Sequence, residues 1–141
     1  MRAHPLPIQM RNYHLKPLYT LKEAIDSLGN VMNLNRELAF ESIRREFYPE
    51  LPSRHKCIWL IPDNEQSLNF WMNLFGTKNQ RVFKVQVDGK IHRTSQEWLI
   101  GGTYSLNEIN SIAHKYWKCE NSGGIEDEVL FIGKIKILEK F

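Results

Sequence analysis

The stretch GGIEDEVLFIGKIKIL, residues 123–138, decides both the fold and the chemistry that this sequence suggests. Between residues 129 and 138 apolar side chains dominate and isoleucines alternate with lysines, which predicts a β-strand. Because strand side chains repeat every second residue, we expect Glu126 and Glu128 on one strand face. Neighbouring carboxylates repel each other and lose hydration when buried, so the pair suggests a chemical role. The plainer interpretation is that Glu126 is solvated and Glu128 begins a surface strand.

Length and composition indicate one globular domain spanning residues 1–141. The 141 residues, 42% of them hydrophobic and 25% charged, suffice for a single core. No stretch approaches the roughly 18 apolar residues of a membrane helix, and residues 1–10 lack the apolar segment of a signal peptide. Cys57 and Cys119 lie far apart without metal-binding spacing, so we interpret them as reduced thiols. We therefore expect a cytoplasmic protein without membrane association or a bound metal.

The net charge of +3 is mild and does not decide between partners. It suits a phosphate-bearing ligand or a nucleic acid, and it is equally common on an ordinary solvated surface. Basic residues do form local groups, at residues 44–45, 54–56, 92–93 and 134–136.

Hydrophobic periodicity predicts an α+β domain, with five or six short strands and three helices packed against them. Helical patterns cover residues 21–28 (ended by Gly29-Asn30), 34–47, 67–75 and 105–117, the last opened by a Ser105-x-x-Glu108 capping box. Strand patterns cover residues 11–15, 57–61 (a buried strand), 81–87 (followed by an Asp88-Gly89 turn), 90–94 and 129–138.

Three further short strings carry candidate binding groups. His14 lies on the first predicted strand, although a lone histidine is more often structural. Ser53-Arg54 precedes the strand at residue 57, where a guanidinium offers a planar fork to phosphate; the alternative is a turn with a surface arginine. Trp59 is followed by Asp63 and Ser67, and the alternative there is a core tryptophan.

In their order along the chain, these strings resemble the ADP-ribosyltransferase fold. The string at residues 58–63 resembles the Ile-Tyr-Phe-Ala-Asp of poly(ADP-ribose) polymerases, and residues 126–130 resemble the Glu-x-Glu-Val-Leu of arginine-directed transferases. Most of the chain also resembles an uncharacterised bacterial family, a domain of unknown function, placed in the ADP-ribosyltransferase clan. The residues that carry this likeness are 34–37, 43–44, 52–54, 116–117 and 133–134.

The resemblance implies a split pair of small antiparallel or mixed sheets with flanking helices, and transfer of ADP-ribose from NAD to a macromolecular acceptor. Glu128 would accept a hydrogen bond from the ribose 2′-hydroxyl and stabilise the cation that develops as the nicotinamide–ribose bond breaks. Glu126 would orient or deprotonate the acceptor. The NAD-binding residues would be His14, Ser53, Arg54 and Trp59. Trp59 stands where the histidine-type branch of this fold, which includes the poly(ADP-ribose) polymerases, has a tyrosine. The Glu-x-Glu pair belongs to the arginine-directed branch.

The sequence leaves several identities open. The acceptor is a protein or a nucleic acid. A small free-standing transferase fits the role of a toxin or phage-defence effector. Such a protein could have an antitoxin or inhibitor protein as a partner. Two alternatives to the enzyme remain. One is a catalytically inert NAD- or nucleotide-binding module of the same fold, and the other is a small basic RNA-binding protein.

Overall fold

One long helix, α1, fills the first part of the structure. In the computed structural model, which describes residues 17–76, 81–99 and 104–140, α1 runs unbroken over the 31 residues Pro17–Phe47. The prediction of two helices separated at Gly29-Asn30 is therefore wrong. A glycine inside a helix costs only about 1 kcal/mol, which the good helix formers on both sides offset. The predicted strand at residues 11–15, with His14, lies outside the described residues.

A three-stranded antiparallel sheet follows, with the strand order β1-β3-β2. The strands are β1 (Ile58–Leu60), β2 (Phe83–Ser95) and β3 (Asp127–Lys140), so the last strand in the chain is central in the sheet. The α+β class and the C-terminal strand are confirmed. The described residues contain three strands instead of the five or six predicted, in one sheet.

The strand β2 passes straight through Asp88-Gly89, where the sequence predicts a turn. Gly89 pairs with Gly133 of β3, and the register continues on both sides of this pair. A Cβ atom on either glycine would collide with the backbone of the opposite strand. The glycines therefore allow two strands to approach closely, and the predicted turn is wrong.

Two shorter helices begin at well-defined N-caps. The helix α2, Glu65–Phe75, is capped by Asn64, whose side chain accepts a hydrogen bond from the Ser67 backbone N–H at 2.7 Å. The helix α3, Leu106–Trp117, opens with the predicted capping box between Ser105 and Glu108. A short 3-10 helix, Gln96–Leu99, follows β2.

The hydrophobic core lies between the sheet and the two helices α1 and α3. It comprises Phe40, Ile43, Ala113, Tyr116, Trp117 and Leu130. We call the sheet surface that carries Leu130 and Glu128 the helix face. The edge strand β1 differs from its prediction as a buried strand, because Ile58 and Trp59 remain 47% and 45% exposed. No helix in the described parts of the chain combines the length and apolar character needed to cross a membrane.

Candidate active site

Arg54 stands at the centre of the most charged buried cluster on the helix face. It belongs to the loop between α1 and β1, and only 9% of its surface is exposed. The loop is tied to α1 by Arg44, whose Nη1 donates to the Leu51 carbonyl at 2.9 Å, and by Ser53, whose hydroxyl donates to Glu41 at 2.9 Å. These bonds fix the backbone from which Arg54 extends towards the sheet.

The Arg54 guanidinium contacts two carboxylates and a phenol. Its Nε donates to Oε2 of Glu37 at 2.8 Å, while Nη1 donates both to Oε1 of Glu128 at 2.5 Å and to the Tyr116 hydroxyl at 2.6 Å. That hydroxyl in turn donates to the same Glu128 oxygen at 2.5 Å. We call Glu37, Arg54, Tyr116 and Glu128 the arginine cluster.

Both contacts to Glu128 use the oxygen Oε1. Its other oxygen, Oε2, accepts no hydrogen bond from the residues that the structure describes. The whole residue is 4% exposed. Oε2 is therefore the atom through which Glu128 can meet a ligand.

Trp59 borders the arginine cluster and is exposed to solvent. Its ring lies 4.3 Å from the centre of the Arg54 guanidinium, in a cation–π contact. The backbone register pairs Trp59 with Leu130, which places both on the helix face beside Glu128. An aromatic ring with 45% exposure thus borders a buried carboxylate.

Burial and charge shift the titration of the whole cluster. Burial raises the pKa of Glu128 above the ordinary carboxyl value, although Arg54 and Tyr116 act in the opposite direction. Burial alone would lower the pKa of Arg54, yet Tyr116, Glu37 and Glu128 together raise it, so the guanidinium stays charged. Burial likewise raises the pKa of Tyr116, which keeps the phenol protonated as a donor.

The structure brings together three of the six residues that the sequence nominates: Arg54, Trp59 and Glu128. Ser53 is adjacent in sequence, but its hydroxyl bonds Glu41. Glu126 precedes the first residue of β3, and its Oε1 accepts a long 3.4 Å hydrogen bond from Ser95. His14 lies outside the described residues.

Two members of the arginine cluster were missed by the sequence reasoning. Tyr116 and Glu37 appeared there only within the strings that carry the family likeness. The available signal was the phenol itself, because a buried tyrosine hydroxyl usually finds a polar partner. Nothing local in the sequence points from Tyr116 to Arg54, which lies 62 positions earlier.

The described residues also bear on metal binding. Within residues 17–76, 81–99 and 104–140, no three His, Cys, Asp or Glu side chains come together as a metal site would require.

Fold and cluster define a small α+β protein with a buried arginine–glutamate–tyrosine network at the centre of its sheet. The chain belongs to the DUF2441 family of proteins of unknown function, which it matches over residues 6–141. Membership of a family of unknown function is as predicted. No curated protein matches the sequence.

Proposed function

We propose that this protein is an NAD-dependent mono-ADP-ribosyltransferase and that its sheet and helices are a variant of the ADP-ribosyltransferase fold. The observation that carries the proposal is the convergence of Arg54, Trp59 and Glu128, which the sequence nominated from separate strings. In the proposed complex Trp59 stacks on nicotinamide and Arg54 faces the diphosphate. The acceptor is a macromolecule, protein or nucleic acid, and the protein acts in the cytoplasm as a toxin or phage-defence effector.

Glu128 has the chemical properties that the transfer reaction needs. Breaking the nicotinamide–ribose bond develops positive charge on the ribose carbon, and a carboxylate in a low-dielectric site stabilises it strongly. With Oε1 held by Tyr116 and Arg54, Oε2 is oriented before substrate arrives. Since Glu128 is 4% exposed, NAD reaches Oε2 only when neighbouring side chains move aside.

The decisive experiment follows radiolabel from NAD labelled in its adenylate half, with cell lysate as acceptor and nicotinamide release as a second readout. We expect labelled products with the wild type, and a loss of at least about 100-fold with Glu128→Gln, because one charge-stabilising group is removed. Glu139→Gln, an exposed position on the same strand, is the matched control and should label normally. Circular dichroism verifies that each variant is folded.

Two results would contradict this assignment in different ways. Equal labelling by Glu128→Gln and wild type would show that another acid acts. No labelling and no nicotinamide release by the wild type would favour a second candidate, a catalytically inert NAD- or nucleotide-binding module. The tight ion pair between Glu128 and Arg54 favours that candidate, because a paired and buried carboxylate can serve folding alone. Calorimetric NAD binding without turnover would support it.

A further inference from the structure

A two-stranded ribbon extends β2 and β3 away from the arginine cluster. It consists of residues 83–90 paired with residues 132–140, and its register runs from Phe83 opposite Lys140 to Lys90 opposite Ile132. The edge strand β1 pairs only with residues 129–131 of β3. Among the described residues no further strand covers either edge of this ribbon.

The ribbon concentrates the positive charge of the protein. It carries five lysines and two acidic residues, which gives a net charge of +3, equal to that of the whole chain. One of these lysines, Lys84, is already paired with Asp63 at 3.0 Å. Among the four remaining lysines, we call Lys90, Lys134 and Lys136 the lysine ladder.

Strand geometry places the lysine ladder on one side of the ribbon. The register between β2 and β3 is continuous over residues 128–137, so even positions of β3 share one face there, and Lys134 and Lys136 lie on the same side as Glu128. Lys90 joins them because it pairs directly with Ile132. The register shifts by one residue between Lys84 and Val85, which places Lys140, opposite Phe83, on the other face. All three lysines of the ladder are exposed. Two acidic residues share this face of the ribbon: Asp88, which pairs with Lys134, and Glu139, which pairs with Lys84.

We propose that the lysine ladder binds the phosphate backbone of a nucleic acid. Alternate residues of a strand are roughly 6.7 Å apart, so the ladder offers charges at short regular intervals to a polymer whose strands carry a phosphate about every 3.4 Å. A two-stranded ribbon also fits the width of a DNA major groove. Ile132 stands exposed on the same face as the lysines, where it can contact sugars and bases.

The test measures binding of short fluorescent nucleic acids by anisotropy over a range of salt concentrations, without NAD. Duplex DNA, single-stranded DNA and single-stranded RNA are compared. For the preferred nucleic acid, Lys134→Gln/Lys136→Gln should lower the magnitude of the slope of log affinity against log salt by roughly 1.4 to 1.8, because each lost phosphate contact contributes about 0.7 to 0.9. At low salt its affinity should fall roughly tenfold or more.

Two matched variants test whether binding depends on where the positive charges lie or only on the net charge of the protein. Lys56→Gln/Lys118→Gln makes the same change in net charge at exposed sites outside the ribbon and should retain the wild-type slope. Lys134→Arg/Lys136→Arg keeps the ladder charged and should retain binding. Equal losses in both glutamine variants would overturn the proposal, as would a wild type that binds none of the nucleic acids at low salt. Equally tight binding of polyglutamate would overturn it in favour of an acidic protein partner.

Discussion

A single hydroxyl group, that of Tyr116, makes a hydrophobic helix position part of the arginine cluster. The Tyr116 ring is fully buried and packs 5.2 Å from Phe40, as an apolar residue would. Its hydroxyl accepts from Arg54 and donates to Glu128, so two charged groups are bridged at one point. Without that hydroxyl the Oε1 atom of Glu128 would lose one of its two bonds.

His92 is a second buried titratable residue, next to Tyr116. It is 3% exposed, its ring lies 5.1 Å from that of Trp117, and its Nδ1 lies 3.6 Å from the Cys119 sulfur. Burial, aided by the charge of Arg54, lowers the pKa of His92 to about 4. Burial also raises the pKa of Cys119, so the thiol stays protonated beside the neutral imidazole.

This shift predicts a pH-dependent stability. Between the ordinary histidine pKa of about 6.5 and the folded value of about 4, the unfolded chain binds a proton that the folded protein excludes. Stability should therefore fall as pH is lowered through this range, by up to about 1.4 kcal/mol per pH unit. Urea unfolding at pH 7 and pH 5 measures the effect, and His92→Gln should reduce it. An unchanged pH dependence in that variant would contradict a buried neutral His92.

A second titration, that of Glu41, lies mostly at lower pH. The hydrogen bond from Arg44 lowers the pKa of Glu41 to about 2, against the effect of burial. Its contribution is complete above the ordinary value of 4.5 and disappears as pH falls towards 2. The interval from pH 6.5 to 4.5 therefore reports mainly on His92.

At the scale of the element, α1 is continuous where its sequence suggests a break. Gly29 is helical, and a Cβ atom built on it would meet nothing within 4 Å. The glycine therefore contributes only its backbone entropy, with no steric function in the described structure.

Gly29→Ala should consequently stabilise the protein by about 0.5–1 kcal/mol, because alanine restricts the unfolded chain and fits the helix without contact. Urea unfolding measures the free energy, and far-ultraviolet circular dichroism measures helix content. Gly133→Ala is the opposite control and should destabilise the protein, since its Cβ would strike the β2 backbone. Lower helicity in Gly29→Ala would contradict a continuous α1.

At the scale of the whole molecule, Arg54 joins elements that are distant in sequence. It links α1 through Glu37, α3 through Tyr116 and β3 through Glu128, which lies 74 positions away. Such a buried ion pair need not stabilise the fold compared with apolar residues, but removing one partner leaves the other charge unpaired.

Arg54→Met should therefore destabilise the protein by about 3–5 kcal/mol, because the buried carboxylate of Glu128 loses its counterion. Arg45→Met is the matched control. The Arg45 side chain is 71% exposed, and its pair with Glu41 should be worth at most about 1 kcal/mol. Chemical denaturation compares the two variants. Equal, small losses would show that the arginine cluster does not hold these elements together.

The sequence by itself determined the elements whose signals are local. The capping box at Ser105 and Glu108, the helix ending at Trp117 and the C-terminal strand are all present, because caps and side-chain alternation depend on near neighbours. Local reasoning failed at two glycines. Gly29 predicts a helix end, yet α1 continues through it. Gly89 predicts a turn, yet it lies within β2 and pairs with Gly133 of β3.

Only the tertiary structure decided what the candidate site contains. The sequence nominated Arg54, Trp59 and Glu128 but not Tyr116 or Glu37, and it did not show that Arg54 bonds Glu128 directly. The physical reason is that a buried charge is satisfied by whichever groups the fold brings within about 3 Å, irrespective of their separation along the chain. Residue types and spacing predict which groups can do chemistry, and packing selects their partners.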